Sequence, residues 1–153
     1  MLHKSITNII QYAQNPQRIF GLDLGEKTIG IAMSDQMKMV ATGLETYQRK
    51  SFAKDVRYIL DLADKNQVNI IVIGWPLNMT GEAGDRGKWV EGFAEKLLEV
   101  DVSKHVLLWD ERLSTIAVER TLLEADMSRQ RRAQVVDKLA ATFILQGVLD
   151  SLP

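Results

Sequence analysis

The chain has 153 residues, of which 46% are hydrophobic and 25% are charged, and this is the composition of one ordinary globular domain. It contains 0 cysteines, which excludes disulfide scaffolds, zinc-thiolate sites, iron–sulfur clusters and cysteine nucleophiles. The 19 Lys and Arg against 20 Asp and Glu give a net charge of -1, so any contact with nucleic acid must come from a local patch.

The start of the chain shows neither an export signal nor a membrane anchor. Residues 1–17 are too polar for a signal peptide, and the longest apolar runs are far shorter than a membrane span. We therefore expect a cytoplasmic protein without membrane contact. With only His3 and His105 available, histidine-based catalysis and His-rich metal sites are also disfavoured.

Two domain-level segments are expected. Residues 1–17 form an N-terminal extension, in which Ile6, Ile9, Ile10 and Ala13 follow the spacing of a short amphipathic helix that ends near Pro16. Residues 18–153 form a single domain. Its first part contains three β-rich runs at hairpin distance, which are 18–24, 28–34 and 37–43, and this spacing predicts an antiparallel meander.

The second part of the domain alternates helical and strand patterns. A helix is predicted after a Ser51 cap, and another carries Trp89, Phe93 and Leu97 on one face. The segments 69–74 and 105–111 are short apolar runs, as expected for strands buried on both faces of a sheet.

Two further helices complete the pattern, one capped by Ser114 or Thr115 and reaching about Glu124, and a last one from about Ser128 to Leu149. The order is β-β-β-α-β-α-β-α-α. It predicts an α/β fold with a mixed five-stranded sheet and helices on both faces.

Carboxylates occupy unexpected places in two strands. Asp23 lies inside the first strand between two leucines, although it could simply start the turn at Gly25. Asp110 and Glu111 end a buried strand at the carboxyl edge, where open sheets bind ligands. The alternative for this pair is a favourable position at the N-terminus of the following helix.

A third acid, Asp137, continues the apolar stripe of the last helix, which contains Ala133, Ala141 and Ile144. We expect it to face the sheet, where a carboxylate needs a cation or hydrogen-bond donors. The alternative is that Asp137 caps a helix that begins at Lys138.

The three acidic positions can converge on one edge of the sheet. Carboxylates at such short separation repel one another unless divalent cations lie between them. Because thiolate ligands are absent and histidines are few, oxygen ligands favour Mg²⁺ or Mn²⁺. The chemistry that this predicts is two-metal hydrolysis of phosphodiester bonds.

Four segments in order, GLDLGEKTIGIAMSD, IVIGWPLNMTGEAG, WDERLST and VDKLAATFILQGVLD, resemble the YqgF-type family over residues 18–150. The resemblance implies a ribonuclease H-like fold related to Holliday-junction resolvases, and a nuclease that processes the 5′ end of pre-16S ribosomal RNA. It also implies that Asp23, Asp110, Glu111 and Asp137 match the family's metal-binding acids. Within the Asp110–Glu111 pair we favour Glu111 as the ligand. The extension before Arg18 is longer than the family's usual start.

Several polar residues around these acids are candidates for substrate binding. The basic members before and around Asp137 could hold a phosphate backbone, although a solvated helix face fits the pattern equally. The hydroxyl of Ser114 fits a helix cap equally well. The candidates are Asn78, Arg112, Ser114, Thr115, Arg131, Arg132 and Lys138.

Three functions remain open. The first is a metal-dependent nuclease that acts on pre-rRNA or on branched DNA, as a monomer for end trimming or as a homodimer for junctions. The second is an ATP-binding protein, because Asp-x-Gly followed by Gly30 also resembles the phosphate loop of actin-like and sugar-kinase folds. Those folds need two such domains, and this length supplies one. The third is a non-catalytic RNA-binding factor of ribosome assembly.

Overall fold

The computed structural model describes the backbone of residues 1–14, 16–113 and 129–153, and the side chains of the same residues except 113 and 129–137. The strands in chain order are β1 Leu2–His3, β2 Arg18–Leu24, β3 Thr28–Ser34, β4 Ala41–Gln48, β5 Val68–Trp75 and β6 His105–Asp110. The α-helices are α1 Phe52–Lys65, α2 Asp85–Val100 and α3 Arg129–Asp150, and the short 3-10 helices are Ile6–Asn8 and Glu111–Leu113.

The strands form one mixed sheet in the order β1-β6-β5-β2-β3-β4. Strands β2, β3 and β4 are the predicted antiparallel meander, while β1, β6, β5 and β2 run parallel. The prediction of a mixed sheet is confirmed, but its count of five strands is corrected to six. The extra strand is β1, whose Leu2 and His3 pair with Val106 and Leu107, and two residues are too few to show a period of alternation.

Strand β4 begins later than the predicted run at 37–43. The Asp35 carboxylate accepts hydrogen bonds from the backbone N–H of Met39, at 2.8 Å, and of Val40, at 3.1 Å. These bonds close a turn, so that pairing with β3 starts at Ala41. The turn therefore contains the apolar residues before Ala41 that the pattern assigned to the strand.

Helices cover both faces of the sheet, as predicted. On one face lie α1, which begins at the predicted Ser51 cap, and α2. On the other face lies α3, which spans nearly the predicted range. The helix predicted from Ser114 or Thr115 lies outside the described residues. No described helix is both long and apolar enough to cross a membrane.

Helix α3 lies very close to strand β2. A Cβ atom added to Gly21 would be 2.7 Å from the Leu145 Cβ and 2.9 Å from the Ala141 carbonyl oxygen. The end of α3 packs near the start of β2, since Leu149 shares a core with Ile19. The helix therefore runs antiparallel to β2, and its N-terminal turns extend toward the carboxyl end of that strand.

Candidate functional site

The parallel strands β2, β5 and β6 end at the same edge of the sheet, and three of the predicted acids, Asp23, Asp110 and Glu111, lie there. Ile19 and Gly21 face α3, so alternation along the strand places Asp23 on that face as well. Asp23 is buried, with 6% of its surface exposed. Glu111 follows β6 directly, at the first residue of a 3-10 helix.

The carboxylate of Glu111 lies over Gly74 of β5. A Cβ atom added to Gly74 would be 2.7 Å from Glu111 Oε1 and 2.6 Å from Ile144 Cδ1 of α3. Leu22 pairs with Ile73, and the next residues along these parallel strands are Asp23 and Gly74. Neighbouring strands lie about 4.8 Å apart, so the Glu111 carboxylate stands over the strand next to Asp23 and on the same face.

The backbone of α3 brings position 137 to the same region. Four residues of helix rise about 6 Å, and two residues of a strand rise about 6.6 Å. Position 137 lies four residues before Ala141, whose carbonyl faces Gly21, and Asp23 lies two residues beyond Gly21. Helix position 137 therefore lies before Ala141 in the part of α3 that extends toward the carboxyl end of β2, while the side chain of Asp137 lies outside the described part of the chain.

Asp110 has a different environment from Glu111. Its carboxylate accepts hydrogen bonds from Arg112 Nε, at 3.0 Å, and from Arg112 Nη2, at 2.7 Å. These bonds hold the pKa of Asp110 below its usual range. Arg112 also donates to the backbone oxygen of Asn78, at 3.3 Å, so the Asp110–Arg112 pair ties the end of β6 to the loop after β5.

Among the other substrate-binding candidates, the side chains of Asn78 and Lys138 belong to the described part of the chain. Asn78 Oδ1 accepts the backbone N–H of Thr80 and of Glu82, so its side chain closes a turn of the loop. Lys138 is half-buried, and its aliphatic stem packs on Gly43. Positions 131 and 132 lie two helical turns before 140, and their side chains, like all of Ser114 and Thr115, lie outside the description.

Two arginines that the sequence reasoning missed fix the turn after Asp23. Arg49 Nη1 donates to the backbone oxygen of Gly25, at 3.0 Å, and Arg86 donates to the backbone oxygen of Leu24. No motif marks these residues, because each acts from a distant segment. Gly74 was missed as well, although a glycine that ends a buried apolar strand is a signal of close approach.

The donor set at this edge fits a hard divalent cation better than a softer metal ion such as zinc or copper. Asp23 and Glu111 supply carboxylate oxygens, which Mg²⁺ and Mn²⁺ prefer. Across the described side chains, no group of three His, Cys, Asp or Glu could hold a metal ion. The sequence candidate for a third carboxylate is Asp137, whose side chain lies outside that set.

Comparison with known proteins identifies the family. The RuvX family model, described as Holliday junction resolvase, matches residues 17–151. A protein named "Putative pre-16S rRNA nuclease" from Methylocella silvestris is 52% identical over 136 residues, which cover 89% of this chain and 84% of that protein. A protein of the same name from Staphylococcus aureus strain JH9 is 50% identical over 137 residues, which cover 88% and 96% respectively.

The fold is similar to that of RuvC from T. thermophilus, solved in complex with a Holliday junction substrate, with a TM-score of 0.56. The alignment covers 89% of this chain and 98% of RuvC at 10% identity, so the likeness concerns the fold alone. It confirms the ribonuclease H-like architecture expected from the sequence. Together with the family match, the relatives confirm the resemblance of the four sequence segments. The chain belongs to the RuvX family of Holliday junction resolvases.

Proposed function

We propose that this protein is a metal-dependent endonuclease that hydrolyses phosphodiester bonds in structured nucleic acid and processes the 5′ end of pre-16S rRNA in the cytoplasm. The observation that carries the proposal is the Glu111 carboxylate over Gly74, on the strand beside Asp23. The names of the relatives support the reaction and the RNA. We assign the nuclease domain to residues 18–153 and treat residues 1–17 as an extension.

We assign metal binding to Asp23, Glu111 and Asp137, which together would hold two Mg²⁺ or Mn²⁺ ions. When bound, such ions activate water and stabilise the leaving oxygen of the phosphodiester. The geometry supports Glu111 over Asp110 as the ligand, because Arg112 already engages both oxygens of Asp110.

The remaining residues are assigned to substrate positioning. Arg112 would hold the Asn78 loop against the end of β6, which keeps the cleft rim in place. The polar side chains along the edge would contact phosphates, which fixes the register of the strand to be cut. This group comprises Asn78, Arg112, Ser114, Thr115, Arg131, Arg132 and Lys138.

The experiment that tests the proposal is a cleavage assay with Mg²⁺ or Mn²⁺. The substrates are a fragment with the 5′ end of pre-16S rRNA and a four-way DNA junction. We expect wild-type protein to cut the RNA, whereas Asp23→Asn and Glu111→Gln lose activity by about 100-fold or more, as for other residues that organise charge in a transition state. Asp110→Asn and the exposed control Glu95→Gln should retain most of it.

The outcomes separate the candidate functions. Cleavage by Asp23→Asn at the wild-type rate would mean that a contaminant cuts the RNA, and the proposal would fail. Cleavage of the junction alone would favour a resolvase, which presents two sites and therefore acts as a homodimer, whereas end trimming needs only a monomer. Tight RNA binding without cleavage in either metal would favour a non-catalytic assembly factor.

A further inference from the structure

A groove of about 470 Å³ lies beside the cleft edge, on the outer side of α1 and the end of β4. Its walls combine cationic and aromatic side chains with a single acid at one end. The lining residues are Tyr47, Lys50, Ala53, Lys54, Arg57, Tyr58 and Asp61.

The three cations of this groove are free of ion pairs with acids of the described region. Lys50, Lys54 and Arg57 are exposed, and no carboxylate of the described side chains lies within 4.0 Å of their charged atoms. Two acids on the elements that form the groove are engaged elsewhere. Asp55 is fully buried and pairs with Arg49 at 3.2 Å, and Glu45 accepts the Tyr58 hydroxyl at 2.5 Å.

The two tyrosines give the groove a flat, uncharged surface. Their rings stack with centroids 4.2 Å apart and an interplanar angle of 14°. The hydrogen bond to Glu45 raises the pKa of Tyr58 to about 12, and burial raises the pKa of Tyr47. Both phenols therefore stay neutral over the physiological range. Cations that follow a backbone and aromatic rings on which bases stack are the features by which proteins bind single strands.

The groove is continuous with the edge that carries Asp23. Gln48, at the end of β4, pairs with Thr28 at the start of β3. The next residue, Arg49, donates its backbone N–H to the Lys27 oxygen at 2.9 Å. Lys27 itself is exposed beside the exposed Glu26 and lies four residues after Asp23, so the groove and Asp23 share the same edge of the sheet.

We propose that this groove binds a single-stranded segment of the nucleic-acid substrate next to the scissile position. Lys50, Lys54 and Arg57 would contact its phosphates, and the Tyr47–Tyr58 pair would offer a stacking surface for a base. The proposal rests on the proposed function for the nature of the substrate, but binding in the groove requires neither metal nor cleavage.

The test measures binding of a fluorescent single-stranded RNA of about 20 nucleotides, by anisotropy in EDTA over a range of salt concentrations. The variant is Lys54→Ala with Arg57→Ala. The matched control is Lys65→Ala with Lys96→Ala. It removes the same charge from the C-terminal halves of α1 and α2, at positions that do not line the groove. Loss of two phosphate contacts should lower the salt slope by about 1.4 and weaken binding roughly tenfold or more near 0.1 M salt. The control should bind like wild type.

Each outcome decides the matter. Equal affinity and salt slope in the two double variants would overturn the proposal that the groove binds RNA. Any loss of affinity would then come from the change in net charge alone. Failure of the wild type to bind the RNA would overturn it as well. If the groove variant loses binding while no cleavage is found with any metal, the groove stands and the nuclease proposal fails. If the wild type cleaves RNA but the groove variant binds normally, only the groove is wrong.

Discussion

Gly74 shows how a single hydrogen atom in place of a side chain can shape a reactive site. The Glu111 carboxylate occupies the volume that a Cβ on this residue would need, with 2.7 Å to Oε1. The neighbouring Ile144 methyl is equally close, at 2.6 Å. Both are the far ends of flexible side chains, so the backbone can stay in place while the carboxylate moves.

We therefore expect Gly74→Ala to reduce cleavage far more than stability. A displacement of the Glu111 carboxylate by tenths of an ångström up to 1 Å should lower kcat by roughly 10- to 100-fold. The free energy of unfolding should fall by no more than about 1–2 kcal/mol. Steady-state kinetics and thermal melts on the same preparation check this. Gly92→Ala is the control, because beyond its own helix backbone no described atom lies within 4 Å of its added Cβ. A Gly74→Ala protein with full activity would show that Glu111 takes no part in the reaction.

Asp110 gives a prediction about pH. Arg112 lowers the pKa of Asp110 in the folded protein, so folding favours its charged form. The resulting stability is present above the ordinary carboxyl pKa of about 4 and is lost as pH falls through the lowered folded value. Since Arg112 is largely exposed, the contribution is no more than about 1 kcal/mol.

Asp110→Asn should therefore be slightly less stable than wild type at neutral pH, and the difference should vanish in acid. Urea unfolding at a series of pH values measures it. A difference that stays constant from pH 7 to about pH 3 would show that the charge of Asp110 is not what holds the end of β6.

At the scale of elements, the packing of α3 on β2 depends on Gly21. A Cβ there would meet the Ala141 carbonyl oxygen at 2.9 Å and the Leu145 Cβ at 2.7 Å. Unlike the groups around Gly74, these atoms belong to the helix backbone or are fixed to it. The whole helix would have to move away from the sheet.

Gly21→Ala should accordingly cost stability first, by about 1–3 kcal/mol, which corresponds to a melting temperature lower by several degrees. Thermal and chemical unfolding measure the loss, again with Gly92→Ala as control. Any loss of cleavage should follow the fraction of unfolded protein. A variant as stable as wild type would mean that α3 lies farther from β2 than the structure places it.

The elements also show which features the sequence could predict. The buried strands β5 and β6 were predicted because their apolar runs reflect burial on both faces, and α1 because its cap and period agree. The start of β4 was misplaced because it depends on hydrogen bonds that the Asp35 carboxylate accepts from the backbone. Strand β1 was missed because it has only two residues.

The candidate site followed the same division. The position of Asp23 and Glu111 at one edge of the sheet could be predicted, because carboxylates at the ends of buried strands stand out in the pattern. The engagement of Asp110 by Arg112 could not, since a Glu-Arg sequence after Asp110 does not reveal which acid the arginine meets. Nor could the contacts of Arg49 and Arg86 with the turn, which join segments far apart in the chain.

At the scale of the whole molecule, the proposed acids set metal binding against stability. In the proposed site, three carboxylates would repel one another without metal, so the apo fold would carry a cost. Neutralisation of one of them in Asp137→Asn should raise the melting temperature of the metal-free protein, by a few degrees for a gain of about 1 kcal/mol. The same change should abolish cleavage.

Metal should produce the opposite pattern. Millimolar Mg²⁺ or Mn²⁺ should stabilise the wild type by mass action, and the increment should shrink in Asp137→Asn, which lacks a ligand. Thermal melts of both proteins with and without metal decide the point. Destabilisation of the apo variant together with equal metal shifts would assign Asp137 to a helix cap or a structural hydrogen bond.

The pairing of β1 with β6 has a consequence for the order in which the protein is made. Leu2 and His3 are synthesised well before their partners Val106 and Leu107, which lie about 100 residues later in the chain. Until β6 has been synthesised, this end of the chain has no place in the sheet, and closing so long a loop costs conformational entropy. Leu2 and His3 therefore wait through the synthesis of most of the domain, and β1 can join the sheet only after β6 has been made.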